Sequence, residues 1–301
     1  MTNKKILTAM LTMGLALAAF GCQHSQKTFD SPQAATDALA AAVENHDKSE
    51  LRRIFGRNAS KLRSGDAEQD RADFERFAAM IREKHTFDKI SEDVAVVEIG
   101  EIEWPFAVPL VNEEGKWRFD TEAGIEELEN RRIGRNELVT IVVCETIHDA
   151  QQQYMEQDRN GDGVKEYAQK MMSTAGQKDG LYWPSRGGAD PSPIGRLLAE
   201  ASARHDASGR RPPFHGYLYK GLPRQGPSAS GGARDYLVNG RLTGGWAIIA
   251  WPAEYDTTGV TSFIINQDGA VYEKDLGWDT ASAVAAIDTF DPGDGWKRVG
   301  Y

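Results

Sequence analysis

Two things that often guide a reading of function are scarce in this chain: cysteine and positive charge. Its 301 residues hold two cysteines, Cys22 and Cys144, and the formal net charge is -10. A framework of structural disulfides is therefore excluded, and the fold must rest on core packing or on a metal. An acidic body of this kind also argues against nucleic acid and anionic lipid surfaces as partners. Beyond the N-terminus the apolar runs, such as Trp104 to Val111 and Trp246 to Pro252, are far short of the roughly 20 residues that cross a bilayer as a helix. No Ser-His-Asp set, complete metal triad, phosphate loop or cofactor fingerprint stands at recognisable spacing. What is present in quantity is hydrophobic sequence (40%) and charge (27%) in globular proportion, with length enough for two domains.

The N-terminus reads as an export signal. Lys4 and Lys5 precede the uncharged run Ile6 to Phe20, and Gly21-Cys22 follow. Basic, apolar and small-residue segments in that order define a cleaved leader, residues 1–21. The junction Ala19-Phe20-Gly21-Cys22 resembles the bacterial lipobox, which implies lipidation of Cys22 and a membrane anchor; plain secretion with cleavage near Gly21 is the alternative. Gln23, where aspartate would imply inner-membrane retention, implies the outer membrane with the body in the periplasm. Residues 22–28 then form a polar tether. Loss of the leader takes the net charge from -10 to -12.

Residues 29–120 read as helices followed by an antiparallel meander. Ser31-Pro32 is a helix start, with a capping hydroxyl and a proline that needs no N–H partner. Helical spacing continues through Val43, again over Lys48 to Phe55, and from Gln69 to Lys84. After His85 the pattern becomes short β-branched and aromatic runs, Val94–Ile99, Trp104–Val111 and Lys116–Phe119. The order resembles small cone-shaped folds of the nuclear-transport-factor-2 type. Glu103 and His85 are its acid–base candidates, although neither has a partner at usable spacing.

Residues 121–157 read as a connecting helix, open to a break at Gly134, with Val139, Val142, Val143, Thr146, Ala150 and Tyr154 as an inward stripe. Cys144 and His148 lie four apart on it, as a thiol–imidazole pair or as a buried cysteine and an edge histidine. Next comes Asp158-Arg159-Asn160-Gly161-Asp162-Gly163. Oxygen ligands at alternate positions before a turn glycine match the first half of a calcium loop, D-x-N-x-D-G, with Glu166 at the ninth position. Asp158, Asn160, Asp162 and Glu166 are thus candidate calcium ligands. Gln169 stands where a bidentate glutamate belongs, and a plain polar turn explains the same residues.

Residues 158–301 read as a second α+β domain. The expectations are a short helix at Glu166–Met172, a helix from Ser192 to about Ala203, and a strand at Phe214–Tyr219. A flexible hairpin tip at Pro223–Ala233 and a central strand at Trp246–Trp251 follow. Two more strands flank Gln267-Asp268-Gly269, and a last helix covers Ala281–Ile287. Glu254, Asp256 and Asp268 are the acids available to a hydrolase.

The segments RRIGRNEL, QDRNGDGVKEYAQ, GLYWP, HGY, VNGRLTGG, AWPAEY and NQDGAVYEKDLG resemble the DUF2950 family, bacterial envelope proteins of unassigned function. AQQQY, HGYLY and AWPAEYDTTGVTSFIINQDGAVY are similar to the globular part of pseudopilin-like proteins. That similarity implies a long helix packed on an antiparallel sheet. Together these readings give an envelope lipoprotein of two α+β domains acting as a non-catalytic binding or structural module. It would have a membrane anchor, an envelope protein partner, and calcium as the one candidate cofactor. An envelope hydrolase and a pilin-like assembly subunit are the alternatives.

Overall fold

A computed structural model describes residues 26–63, 67–159, 161–185, 191–196, 213–293 and 295–300. The fold class is α+β, and the chain divides into two compact units, Met1–Glu127 and Leu128–Tyr301. Cys22 and its leader lie outside the described residues, as do Asn160 and most of the helix expected from Ser192.

The first unit opens with three helices, α1 (Pro32–Glu44), α2 (Lys48–Phe55) and α3 (Ala67–Glu83). The Ser31 hydroxyl accepts from Ala34 N–H at 3.1 Å, and Asp47 caps α2 through Ser49 and Glu50. Strands β1 (His85–Lys89), β2 (Val94–Ile99), β3 (Trp104–Pro105), β4 (Leu110–Glu113) and β5 (Lys116–Phe119) form one antiparallel sheet, ordered β1-β2-β4-β5 with β3 on β2. Leu39, Val43, Ile54 and Ile81 from the helices close on Ala95, Val97, Leu110 and Phe119 from the sheet. Strand β1 is an addition to the sequence reading: its residues are half-buried or exposed, so no alternation announces it. The run Trp104–Val111 is not one strand, because Phe106 and Val108 turn into the core between β3 and β4.

The polar tether is shorter than its composition suggests. The Gln26 carboxamide donates to the carbonyls of Ile54 (2.8 Å) and Phe119 (2.6 Å), and Lys27 N–H donates to Arg53 O. Phe29 pairs with Trp117 through both backbone bonds. Residues 26–28 therefore belong to the body.

Helix α4 (Thr121–Met155) runs 35 residues without a break at Gly134. Among the described residues no helix is long and apolar enough to cross a membrane. Close packing near its start requires Gly124, where a Cβ would meet Val108 Cγ2 at 2.6 Å.

The second unit continues with β6 (Lys170–Met172), β7 (Gly180–Tyr182), β8 (Tyr217–Gly221), β9 (Arg224–Gln225), β10 (Arg234–Asp235), β11 (Leu237–Val238) and β12 (Arg241–Leu242). It ends with β13 (Ala247–Pro252), β14 (Thr261–Asn266), β15 (Tyr272–Asp275), α5 (Thr280–Ala286), β16 (Thr289–Phe290) and β17 (Lys297–Arg298). The principal sheet is antiparallel in the order β17-β15-β14-β13-β8. The central strand is thus β14, with β13 beside it. Both faces are covered. Trp246, Ile248, Ala250, Phe263 and Ile265 meet Val143, Cys144, Ile147 and Ala150 of α4. Ala247, Ile249 and Ile264 meet Leu222, Tyr236, Val284 and Phe290 on the other side. The alternation of adjacent residues between two cores explains why the run reads as apolar throughout.

Three expectations change here. Val142 and Thr146 are not in the inward stripe; both are exposed, and Cys144 and Ile147 take the buried face instead. No helix forms at Glu166–Met172, because Gln151 captures the backbone of Ala168. Its Nε2 donates to Ala168 O at 2.9 Å while its Oε1 accepts from Ala168 N–H at 2.8 Å. Tyr167 meanwhile bridges Leu242, and Lys170–Met172 pairs in parallel with β7. Finally, the Pro223–Ala233 hairpin exists as β9 and β10, but its tip is held rather than loose. Gln225 Nε2 donates to Ser230 O (2.7 Å) and Gly232 O (2.6 Å), and Asp291 accepts from Ser228 N–H.

Candidate functional site

The acidic loop closes on itself. Asp158 accepts from Gly161 N–H at 2.8 Å through one oxygen and from Gly163 N–H at 2.7 Å through the other. Asp162 meets Arg241 through both guanidinium nitrogens, at 2.8 and 2.7 Å. A bidentate guanidinium pair is geometrically specific. Arg241 thus supplies at Asp162 the positive charge that a calcium ion would bring. Glu166 Oε2 lies 3.5 Å from the Gln169 amide, at the edge of a neighbouring cleft. Among the described residues no three His, Cys, Asp or Glu side chains gather in a way that could hold a metal ion. The described part of the loop is a turn in which Asp158 receives two glycine N–H groups and Asp162 is clamped by Arg241.

The other candidates are separated or committed. Cys144 is fully buried, and burial, with Glu145 nearby, pushes its thiol up to about 12, so no thiolate nucleophile is available near neutrality. His148 turns its ring nitrogens to Asp149 (3.2 Å) and Gln152 (3.3 Å). His85 Nδ1 lies 2.8 Å from Ile81 O, and Glu103 pairs with Lys84 at 2.9 Å. Glu254 and Asp256 precede β14, whereas Asp268 follows it and is bonded to Asn266. A six-residue strand separates those acids, which is about 20 Å, so they do not share one reaction centre.

The structure instead assembles a small cleft that sequence reasoning did not find. It is lined by Tyr154, Glu166, Tyr167, Gln169, Lys170 and Asp179 and encloses about 150 Å³. Helix α4 supplies Tyr154, the Gln151-pinned segment supplies Glu166 to Gln169, β6 supplies Lys170, and the turn just before β7 supplies Asp179. Several of these polar groups are held in place. Tyr154 donates to Lys178 O at 2.6 Å, and burial, then the nearby Glu166 and Asp179, pushes its phenol up to about 12. Burial, with Asp268, also raises Tyr167. Partial burial pushes the Asp179 carboxyl up, but bonds from Lys170 and from the Thr174 N–H and hydroxyl outweigh it and hold the group at about 2. Near neutrality the cleft therefore offers protonated phenols and an ionised carboxylate. Its volume is below the roughly 300 Å³ at which ordinary small-molecule pockets begin. The readable signal was the local pile-up of Tyr, Glu, Gln and Lys in KEYAQK, masked by its resemblance to a helix.

A second cluster stabilises the scaffold. Glu137 Oε1 accepts from Val260 N–H (3.0 Å) and Thr261 N–H (2.9 Å), and Asn136 donates to Thr258 O (2.9 Å). Tyr217 donates to Thr261 O (2.8 Å), and a Cβ at Gly259 would lie 2.2 Å from that phenol oxygen. RRIGRNEL, HGY and the turn after AWPAEY therefore meet at one place.

Comparison with curated proteins and with solved structures finds no match in either. A family model described as "Protein of unknown function (DUF2950)" matches residues 26–299, nearly the whole chain, and the protein belongs to that family.

Proposed function

We propose that this protein is a lipid-anchored lipoprotein of the cell envelope, held at the outer membrane through Cys22. On this reading its body faces the periplasm as a non-catalytic binding or structural module. The observation that carries the binding role is the small cleft lined by hydrogen-bonding groups. Tyr154 donates to Lys178 O, and Asp179 is held by Lys170 and Thr174, so these groups stand in set positions at the cleft. The anchor is supported by the sequence from Lys4 to Cys22.

Pull-down from crosslinked cells tests the binding role: an envelope component should co-purify, and recovery of the protein alone contradicts the reading. Globomycin tests the anchor separately. Accumulation of an unprocessed precursor is expected, and unchanged processing would refute lipidation.

A further inference from the structure

Helix α4 carries a second face, opposite the one packed on the sheet. Leu138 and Val142 project from it with 67% and 58% of their surface exposed. They are the centre of a longer pattern. Arg131, Arg135, Leu138, Val142, Glu145 and Asp149 follow one another at spacings of four, three, four, three and four residues. That is heptad spacing, with two apolar residues at its centre and charged residues at its ends. Each neighbour in the series falls on the same side of the helix.

The signs of the charges choose the geometry. Both arginines lie toward the N-terminus of the seam and both acids toward its C-terminus, at equal distances from the level of Thr140. Laid antiparallel about a two-fold axis at that level, two copies place Leu138 opposite Val142, Arg135 opposite Glu145, and Arg131 opposite Asp149. A two-fold interface is self-complementary in just this way. A parallel pair would set arginine against arginine and acid against acid. Arg131 and Glu145 also keep interactions within their own chain. The seam needs only the field of the two ends, which is longer in range than a single bond.

We infer that this face of α4 is an antiparallel homodimer interface between two copies of the chain. The seam spans about 27 Å from Arg131 to Asp149, with an apolar centre of two leucines and two valines. That centre is small against the cost of association, so the dimer forms at micromolar concentration or above and weakens with salt.

Sedimentation equilibrium of the purified protein tests this, with R135E, E145R and the double swap R135E/E145R, each checked for native circular dichroism. The wild type should dimerise, each single reversal should raise the dissociation constant about tenfold or more, and the swap should restore it. Restoration distinguishes an interface from a merely structural effect of either change. A chain monomeric up to about 1 mM, or a dimer indifferent to the reversals or not rescued by the swap, overturns the inference.

Discussion

The hydroxyl of Tyr236 donates to Oε1 of Gln225 at 3.0 Å, and both residues are buried. Gln225 Oε1 also receives the Gln267 amide at 3.1 Å, while its own amide serves Ser230 O and Gly232 O. One side chain thus uses both its donors and both its acceptor positions. It turns a glycine- and serine-rich hairpin tip into a defined part of the second core.

The first prediction follows from that satisfaction. Gln225→Leu leaves the Ser230 and Gly232 carbonyls and the Tyr236 hydroxyl without this partner, and should cost about 3 kcal/mol. Tyr236→Phe removes one bond and should cost about 1 kcal/mol. Urea unfolding measures both, and limited proteolysis should cut the 226–233 loop faster in the leucine variant.

The Glu137 carboxylate holds the turn before β14 by two backbone N–H groups. Glu137→Ala should cost about 2 kcal/mol, whereas Glu137→Gln should cost less than half of that, since its carbonyl can still accept. Equal losses in urea unfolding would show that the charge, not the acceptor, is what matters.

Asp179 makes stability depend on acid. Its carboxyl lies at about 2 in the folded protein, below the ordinary 3.8, so the unfolded chain takes up the proton first as pH falls. The stabilisation is present above about pH 4 and lost between about pH 4 and pH 2. Asp179→Asn should therefore differ most from wild type at neutral pH, with the gap closing across that window. Solvent screening at this partly exposed pair keeps the effect small. Urea midpoints at a series of pH values test it.

Asp162 is already paired with Arg241; if that pair occupies the loop in place of a cation, millimolar calcium followed by chelator should leave the melting temperature unchanged. Arg241→Gln should lower it slightly, consistent with a partly exposed ion pair worth about 1 kcal/mol or less. A calcium-dependent rise in the wild type would restore the metal reading for Asp158, Asn160, Asp162 and Glu166.

Legibility in the sequence followed the length scale of the cause. Helix α1 announced itself through Ser31-Pro32 and α2 through helical spacing over Lys48–Phe55, and β2, β5 and β14 through short β-branched and aromatic runs. Val142 was misplaced because Ile-Val-Val-Cys is apolar on every side of a helix, and only its partner sheet decides which side is buried. KEYAQK read as helix because the competing bonds come from Gln151, distant in sequence. The cleft was hidden for the same reason: three segments separated in the chain build it. The tip at residues 226–233 looked flexible because its composition is; a buried glutamine decides otherwise.

The central claim is that the cleft beside Tyr154 and Asp179 is a recognition site. A photocrosslinking amino acid placed at Gln169, an exposed residue lining that cleft, tests it in intact cells, with the same probe at exposed Trp278 as control. The account predicts a discrete crosslinked envelope component at Gln169 that is weak or missing at Trp278. Equal labelling at both positions, or none at Gln169, would contradict it.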